Sequence, residues 1–172
     1  MPNLIRTYSI EPLSKKHDHF MFNCGALELN DYFQQRAGQD AWRNVASVWV
    51  AVHKETTKIC GYFTLSMAAI PLDQLTDDIK KKLPRYGNIP AIRLGRLAVS
   101  KEEQGKGLGR FLLTEAMIRC LQNEIAWAVF LVDAKDDHAR RYYQRFGFLS
   151  FQENPNALYM PRALIETYFS FS

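Results

Sequence analysis

Alternating and helical patterns of apolar residues follow one another along the first half of the chain. Residues 4–10, LIRTYSI, predict a first strand that Pro12 closes. In ALELNDYFQQRAGQ, apolar side chains recur at helical spacing and predict a helix. Residues 45–70 contain two β-branched and aromatic runs, VASVWVAVH and KICGYFTLSMAAI, separated by the polar KETTK. This arrangement predicts an antiparallel hairpin.

The second half of the chain continues the same alternation. LDQLTDDIKKKL predicts a helix up to Pro84, and AIRLGRLAV predicts a strand whose Gly95 indicates a bulge or a close approach by another backbone. Residues 107–122 predict a helix, and AWAVFLVDA predicts a strand covered on both faces. DDHARRYYQRFG predicts a short helix that ends at Gly147; FLSFQ and ALYM predict two strands, and residues 162–169 form a last amphipathic segment. We therefore expect an α/β fold around one sheet.

Composition limits the class of protein. The chain has 172 residues, 47% of them apolar, so we expect a single domain over residues 1–172. No run approaches the roughly 20 apolar residues that span a bilayer, and MPNLIRTYSIEPL lacks the apolar core of a signal peptide. We therefore expect a cytoplasmic protein that does not enter a membrane. Cys24, Cys60 and Cys120, like the four histidines, lack metal-binding spacing, which predicts reduced, mostly buried thiols and no metal site.

A cluster of glycines separates a predicted strand from a predicted helix. The strand ends at Val99, and Gly105, Gly107 and Gly109 open the helix within QGKGLGR. Glycine removes side chains that would keep an anion away from main-chain N–H groups, and a helix start adds unpaired N–H groups and the positive end of the helix dipole. Lys106 adds a positive charge. The pattern predicts an anion site, and a flexible link before a core helix is the alternative.

Two well-known phosphate loops are excluded by their spacing. A Walker loop requires Gly-Lys-Ser/Thr, whereas Gly107 follows Lys106 in this chain. A dinucleotide fingerprint would require glycine at position 110, where Arg110 lies. The net charge of +4 favours an anionic partner without identifying it.

The complete pattern Gln-x-x-Gly-x-Gly, formed by Gln104, Gly107 and Gly109 after an apolar strand, resembles the pyrophosphate loop of the GNAT family of N-acetyltransferases. The predicted order of elements is also similar to GNAT over most of the chain. The resemblance implies a central mixed, mostly antiparallel sheet flanked by helices, with acetyl-CoA as co-substrate. It also implies that the loop and the preceding strand hold the coenzyme. The residues implied are Leu97, Ala98, Val99, Gln104, Gly105, Lys106, Gly107, Leu108, Gly109 and Arg110.

Three further segments, RLGRLAV, LVDAKDDHARRYYQRFGF and FNCGALELNDYFQQRAGQD, together resemble the GNAT toxins of bacterial toxin–antitoxin modules. This narrower resemblance implies an enzyme that acetylates the α-amino group of aminoacyl-tRNA and stops translation. It further implies a homodimer and a small DNA-binding antitoxin, which we expect to be of the ribbon-helix-helix type.

The same resemblance implies a general acid. In these toxins a tyrosine of the Tyr-x-x-Phe-Gly segment acts as general acid toward the coenzyme sulfur, and Tyr143 matches it here. A tyrosine with the ordinary pKa of about 10 is protonated at neutral pH, as a donor must be. Tyr142 points about 100° away on a helix, so both cannot address one sulfur. A core tyrosine packed above Phe146 and Phe148 is the alternative interpretation of Tyr143.

Carboxylates near these motifs receive no catalytic role. Asp136 and Asp137 lie where many GNAT enzymes have an asparagine, and Asp136 is a candidate helix N-cap. Glu102, Glu103 and Glu115 are typical of solvated faces, so no strong general base stands out. A peptide-type α-amine has a pKa near 8, and an aminoacyl ester lies lower still, so water could remove its proton. The missing base is consistent with an aminoacyl substrate.

Binding of tRNA requires a basic surface, because phosphate contacts supply most of the sequence-independent affinity. Ordinary solvated charges are the alternative interpretation of every cation in the set. The candidate contacts are Lys81, Lys82, Arg85, Arg93 and Arg96. The other cations considered for the same basic surface are Lys80, Arg140, Arg141 and Arg145.

Two other functions are compatible with these residues. An acetyltransferase for a small amine or a protein amine, which is not a toxin, would share the glycine loop and Tyr143. A non-catalytic module that binds the coenzyme as a sensor or scaffold would share the loop alone. The intact loop and the retained tyrosine favour an enzyme over such a module.

Overall fold

The structure is a computed structural model that describes residues 3–170. It contains both strands and helices. The helices are α1 (Leu4–Thr7), α2 (Leu27–Gln35), α3 (Ala37–Trp42), α4 (Asp77–Lys80), α5 (Leu108–Leu121), α6 (Asp137–Arg145) and α7 (Arg162–Phe169). The strands are β1 (Tyr8–Pro12), β2 (Ser47–His53), β3 (Ile59–Pro71), β4 (Asn88–Val99), β5 (Val129–Asp133), β6 (Leu149–Ser150) and β7 (Ala157–Pro161). Short 3-10 turns occupy Leu72–Gln74 and Lys101–Glu103.

The strands pair in the order β1-β2-β3-β4-β5-β7-β6. β1 with β2, β2 with β3, β5 with β7 and β6 with β7 are antiparallel, whereas β4 and β5 are parallel. The mixed, mostly antiparallel sheet is therefore confirmed, as is the hairpin predicted over residues 45–70. The register shared by β4 and β5 ends at Leu94 and Val132, and β4 continues from there to Val99.

The prediction of a strand over residues 4–10 is wrong in its first half. Residues 4–7 form the single turn α1, in which the Thr7 hydroxyl donates to the Asn3 carbonyl at 2.8 Å. Tyr8 pairs with His53, the last residue of β2, so the residues before Tyr8 have no β2 partner. Pro12 lies within β1, which is an edge strand of the sheet. An edge strand tolerates proline, which has no N–H, at a position whose nitrogen faces away from the neighbouring strand.

The helix predicted for LDQLTDDIKKKL is also wrong in extent, since only α4 and the short 3-10 turn are helical there. Leu75 and Thr76 between them are extended, with ψ of 158° and 154°. The extended link buries the Leu75 side chain, and the Thr76 N–H donates to the Tyr159 hydroxyl at 3.2 Å. Burial of one leucine therefore outweighs the helical preference of the segment.

The chain forms two compact units. One comprises the residues up to 66 together with 95–117, and the other comprises 67–94 together with the residues from 118 onward. In the first unit, the rings of Phe33 and Tyr62 stack at 4.4 Å within a core that α2 shares with β2 and β3. In the second unit, Ile70, Leu131 and Tyr159 belong to one core. The single domain over residues 1–172 stays a prediction.

Gly61 lies in β3 at a point of close approach within the first unit. A Cβ built there would lie 2.8 Å from Leu112 Cδ1 and 2.9 Å from the Ala98 carbonyl oxygen. Real Cβ atoms do not approach that closely, so α5 or β4 would have to move. The glycine therefore sets how tightly α5 packs on the sheet.

We expect Gly61→Ala to destabilise the fold by about 1–3 kcal/mol, because overpacking of a dense core forces side chains and backbone from their minima. Urea unfolding with a tryptophan signal measures the loss. Gly87→Ala is the matched control, since a Cβ there meets nothing within 4 Å. Equal midpoints for the two variants would contradict the close packing described at Gly61.

The three cysteines are buried thiols. Cys24, Cys60 and Cys120 are buried and free, as predicted, and burial raises the pKa of Cys60 to about 11 and of Cys120 to about 12. Within residues 3–170, no helix is long and apolar enough to cross a bilayer. Over the same range, no group of three or more His, Cys, Asp or Glu side chains is placed to hold a metal ion.

Candidate active site

The glycine loop connects β4 to α5 and adopts a backbone that only glycine takes readily. Gly105 and Gly107 have φ of +78° and +87°, in the left-handed region. A Cβ at Gly105 would meet nothing within 4 Å, and one at Gly107 would only make ordinary contact with Leu4. The glycines are therefore required for the path of the chain and not for space. The loop is exposed and α5 begins at Leu108, so main-chain N–H groups are open to an anion there.

Gln104 ties the start of this loop to two other segments of the first unit. Its side-chain amide donates to the Cys24 carbonyl at 2.8 Å and to the Val99 carbonyl at 2.9 Å. The Lys101 N–H donates to the Asn23 carbonyl at 2.9 Å. The side chain of Gln104 is therefore used to hold the loop, and its contribution to an anion site would come from the main chain.

Glu103 also supports the loop, although its position in the sequence predicted only a solvated carboxylate. The Tyr8 hydroxyl donates to its carboxylate, and Lys106 lies 3.4 Å from the same carboxylate. Burial and the Glu103 contact raise the pKa of Tyr8 well above its ordinary value, so the hydroxyl stays a donor. Nothing in the spacing of the sequence links a residue of β1 to a loop about a hundred positions away.

The three strand residues before the loop differ in burial. Ala98 is buried in the first unit's core, while Leu97 and Val99 are half-buried. Residues 95–99 lie beyond the register that β4 shares with β5. The Val99 carbonyl accepts from the Gln104 side chain, which ties the end of β4 to the loop.

Tyr143 lies on α6 in the second unit and is buried, with 8% of its surface exposed. Its ring packs edge-on against Phe148 at 5.5 Å, as the alternative interpretation expected. Burial raises the pKa of Tyr143 above its ordinary value, and Tyr142 and the Asp133 carboxylate raise it further. The phenol therefore stays protonated through the physiological range.

The hydroxyl of Tyr143 differs from those of the other buried tyrosines. The hydroxyls of Tyr8, Tyr32 and Tyr62 donate to Glu103, Asp40 and the Leu29 carbonyl, and that of Tyr159 accepts from Thr76. For Tyr143, no hydrogen bond of the hydroxyl is found within residues 3–170. A buried phenol normally finds a partner, so this hydroxyl is available to a ligand.

The neighbours of Tyr143 on α6 have structural roles. Asp136 caps the helix, because its Oδ1 accepts from the Ala139 N–H at 2.8 Å, and this confirms the predicted N-cap. Tyr142 packs its ring against Phe146 at 5.3 Å and against Tyr143 at 5.5 Å. The rings of the two tyrosines meet edge to face, with 73° between their planes.

A cavity of about 920 Å³ opens in the second unit between the ends of β3, β5 and β7. Arg93 and Asp133 line it as an ion pair, and Asp133 also acts electrostatically on Tyr143. Four carboxylates line the cavity against two cations, Lys80 and Arg93. The carboxylates are those of Asp73, Asp77, Asp133 and Glu153. The cavity is therefore polar and net acidic, which suits an amine more than a phosphate.

The predicted basic contacts have different environments. Lys81, Lys82 and Arg85 are exposed around the end of α4, and no ion pair of theirs is found within residues 3–170. Arg93 is neutralised by Asp133, whereas Arg96 lies over the ring of Tyr32. Lys80 pairs with Asp77, whereas Arg140 pairs with Asp137. The sequence alone does not distinguish the cations that pair with a carboxylate from those that do not.

The comparisons with known proteins agree with this geometry. Residues 44–149 match the acetyltransferase (GNAT) domain family, which is more than half of the chain and includes β2 through the start of β6. The chain therefore belongs to the GNAT family of acetyltransferases. It is an N-acetyltransferase, and the family's co-substrate is acetyl-CoA.

Two relatives of this chain are named as toxins. A probable toxin TacT of Sinorhizobium fredii is 26% identical over 168 residues, which cover 92% of this chain and 93% of the relative. A tRNA-acetylating toxin of Mycobacterium tuberculosis is 30% identical over 138 residues, covering 79% of this chain and 81% of the relative.

Solved structures of toxins have the same fold. A Tyr-to-Phe mutant of KacT superposes with a TM-score of 0.87 at 28% identity, covering 95% of this chain and 99% of that one. AtaT complexed with acetyl-methionyl-tRNAfMet gives 0.86 at 28% identity, covering 94% and 99%. A Tyr-to-Phe mutant of AtaT, bound to the C-terminus of the antitoxin AtaR and acetyl-CoA, gives 0.80 at 25% identity, covering 95% and 99%.

Proposed function

We propose that this protein is a toxin that transfers the acetyl group of acetyl-CoA to the α-amino group of aminoacyl-tRNA and so blocks translation. The observation that carries the proposal is the hydroxyl of Tyr143, which is held protonated at a buried position without a protein partner. The similarity to a tRNA-acetylating toxin and to AtaT complexed with acetyl-methionyl-tRNAfMet supports the choice of substrate.

The coenzyme is held in this proposal by the strand and loop residues 97–99 and 104–110. The left-handed glycines and the start of α5 supply main-chain N–H groups for the pyrophosphate, with Lys106 and Arg110 as the nearby cations. The thioester supplies the activated acetyl group. The open space around Gly105 and its exposure fit a ligand of that size and charge.

Tyr143 acts as the general acid. A neutral amine attacks the thioester carbonyl carbon and forms the new C–N bond in a tetrahedral adduct. The C–S bond then breaks, and the departing sulfur takes the phenolic proton. A buried phenol with a raised pKa keeps its proton until that moment, and the acidic groups around it oppose its ionisation in the free enzyme. The positively charged nitrogen of the tetrahedral adduct loses its proton to water, since the carboxylate of Asp133 is already paired with Arg93. The Tyr143 phenolate regains a proton from solvent before the next turnover.

We assign the acceptor end to the cavity of the second unit. Its net acidic lining attracts the α-ammonium group of an aminoacyl ester, and its volume of about 920 Å³ leaves room for an amino-acid side chain. Lys81, Lys82 and Arg85 are the exposed cations placed for the RNA backbone.

The proposed partners of this protein rest on its proposed function as a toxin. AtaT is bound to the C-terminus of its antitoxin in one solved structure, and KacTA is seen in a complex with DNA in another. We infer a cognate DNA-binding antitoxin, of the ribbon-helix-helix type, and a homodimer that acts in the cytoplasm.

The deciding experiment incubates the purified protein and labelled acetyl-CoA with total charged tRNA. We expect label in the tRNA fraction that mild base releases as N-acetyl amino acid, because the modified amine is carried on an ester. Deacylated tRNA is the matched control and should remain unlabelled. Label on polyamines or lysine peptides with none on charged tRNA would contradict the proposal and favour an acetyltransferase for small or protein amines.

A further inference from the structure

Arg96 on β4 is a cation whose donors the protein does not use. Its guanidinium lies 3.5 Å from the centroid of the Tyr32 ring, a cation–π distance. Within residues 3–170 the structure gives it no ion pair and no hydrogen bond. The residue is half-buried, so part of it is open to solvent.

The Tyr32 ring beneath Arg96 is itself held by a hydrogen bond between α2 and α3. The Tyr32 hydroxyl donates to Asp40 Oδ2 at 2.8 Å, and Tyr32 is 4% exposed. Burial and the Asp40 contact raise the pKa of Tyr32, which keeps this hydrogen bond in place. Asp40 is therefore engaged by the tyrosine, and the ring face that remains orients the arginine.

A fixed guanidinium with free N–H groups suits one chemistry in particular. Its planar fork matches the oxygens of a phosphate, and fixing the fork in advance reduces the entropy lost on binding. Arg93, three residues earlier on the same strand, cannot serve in this way because Asp133 neutralises it. The two arginines of RLGRLAV thus have opposite environments.

We infer that Arg96, held by the ring of Tyr32, binds a backbone phosphate of the acceptor RNA, whereas Arg93 does not. The inference rests on the proposed function for the identity of the RNA. A phosphate of acetyl-CoA has the same chemistry, so the experiment measures both ligands separately.

The test compares Arg96→Met with Arg162→Met. Arg162 also lies over an aromatic ring, 5.0 Å from the centroid of Trp127, but it pairs with Glu166 at 2.7 Å. Each variant removes one positive charge and one cation–π contact, and only the charge of Arg162 is already paired with a carboxylate. Fluorescence anisotropy measures binding of uncharged tRNA between about 50 and 200 mM salt, and calorimetry measures binding of acetyl-CoA.

We expect Arg96→Met to weaken tRNA binding about tenfold and to lower the slope of log K against log salt by about one. Arg162→Met should match the wild type, and both should bind acetyl-CoA normally. Wild-type tRNA binding by Arg96→Met would overturn the inference. A loss confined to acetyl-CoA would also overturn it, by assigning Arg96 to the coenzyme.

Arg96→Lys keeps the charge and decides the matter if the methionine variant does not fold. We expect it to lose about threefold in affinity with an unchanged salt slope, because an ammonium cannot replace the planar fork. Undiminished affinity would overturn the role of the stacked guanidinium. Uncharged tRNA binds without any acetyl transfer, so these results stand apart from failure of the proposed function, which would appear as absent label on charged tRNA.

Discussion

Tyr143→Phe is expected to reduce kcat for acetyl transfer to aminoacyl-tRNA by about 100- to 10,000-fold, the usual contribution of a general acid. The variant removes one oxygen and keeps the ring that packs on Phe148, so the fold and the affinity for acetyl-CoA should be preserved. The hydroxyl has no protein partner within residues 3–170, so its loss breaks no hydrogen bond there. Single-turnover transfer with saturating acetyl-CoA measures the effect directly.

Tyr142→Phe is the matched control for this experiment, because it removes the neighbouring hydroxyl from the same helix. We expect it to retain most of the transfer rate. The pH profile of the wild type gives a second check: kcat/KM should rise as the amine of the aminoacyl ester loses its proton, below about pH 8, and then stay level to about pH 10. The raised pKa of Tyr143 keeps the acid protonated over that range. Equal losses in both phenylalanine variants would contradict the assignment.

Gly107→Ala is expected to raise KM for acetyl-CoA about 10- to 100-fold, with a smaller change in kcat. A Cβ at Gly107 makes only an ordinary contact with Leu4, so the effect comes from the φ of +87°. An L-residue in that region costs about 1–2 kcal/mol, and the chain relieves the strain by turning its N–H groups away from the pyrophosphate. One or two lost bonds to a charged oxygen account for the expected change.

Gly38→Ala is the control for the glycine substitution itself. Gly38 lies within α3, a Cβ there meets nothing within 4 Å, and alanine favours helices. It should leave KM unchanged and increase stability slightly. Initial rates over a range of acetyl-CoA concentrations, together with a melting curve for each variant, separate coenzyme binding from folding. An unchanged KM in Gly107→Ala would contradict the anion site.

The sequence identified the parts of the site that depend on local pattern. The glycine spacing placed the loop between a strand and a helix, and the segment after β5 placed Tyr143 on a short helix that Asp136 caps. These features follow from backbone geometry and helix periodicity, which neighbouring residues determine. The strands were predictable for the same reason, because they carry strong β-branched and aromatic runs, whereas the mixed, mostly antiparallel sheet was implied by the resemblance to the GNAT family.

The parts that the sequence did not reveal depend on contacts between distant residues. Burial of Leu75 shortens the helix predicted after β3, and the end of β2 determines where β1 begins. Arg93 and Arg96 have the same charge and similar neighbours in the sequence. Only the folded chain shows that one faces a carboxylate and the other an aromatic ring. Side-chain partners of this kind leave no periodic signal.

The amide of Gln104 has a consequence for how mutational data on this enzyme should be interpreted. One side chain connects the glycine loop to Cys24, 80 positions earlier. Substitutions at residues 23–25 and in the loop therefore act on a shared element, and their effects in a double-mutant cycle should not be additive. A kinetic defect from the early segment would resemble a coenzyme defect, although that segment bears none of the residues assigned to the coenzyme.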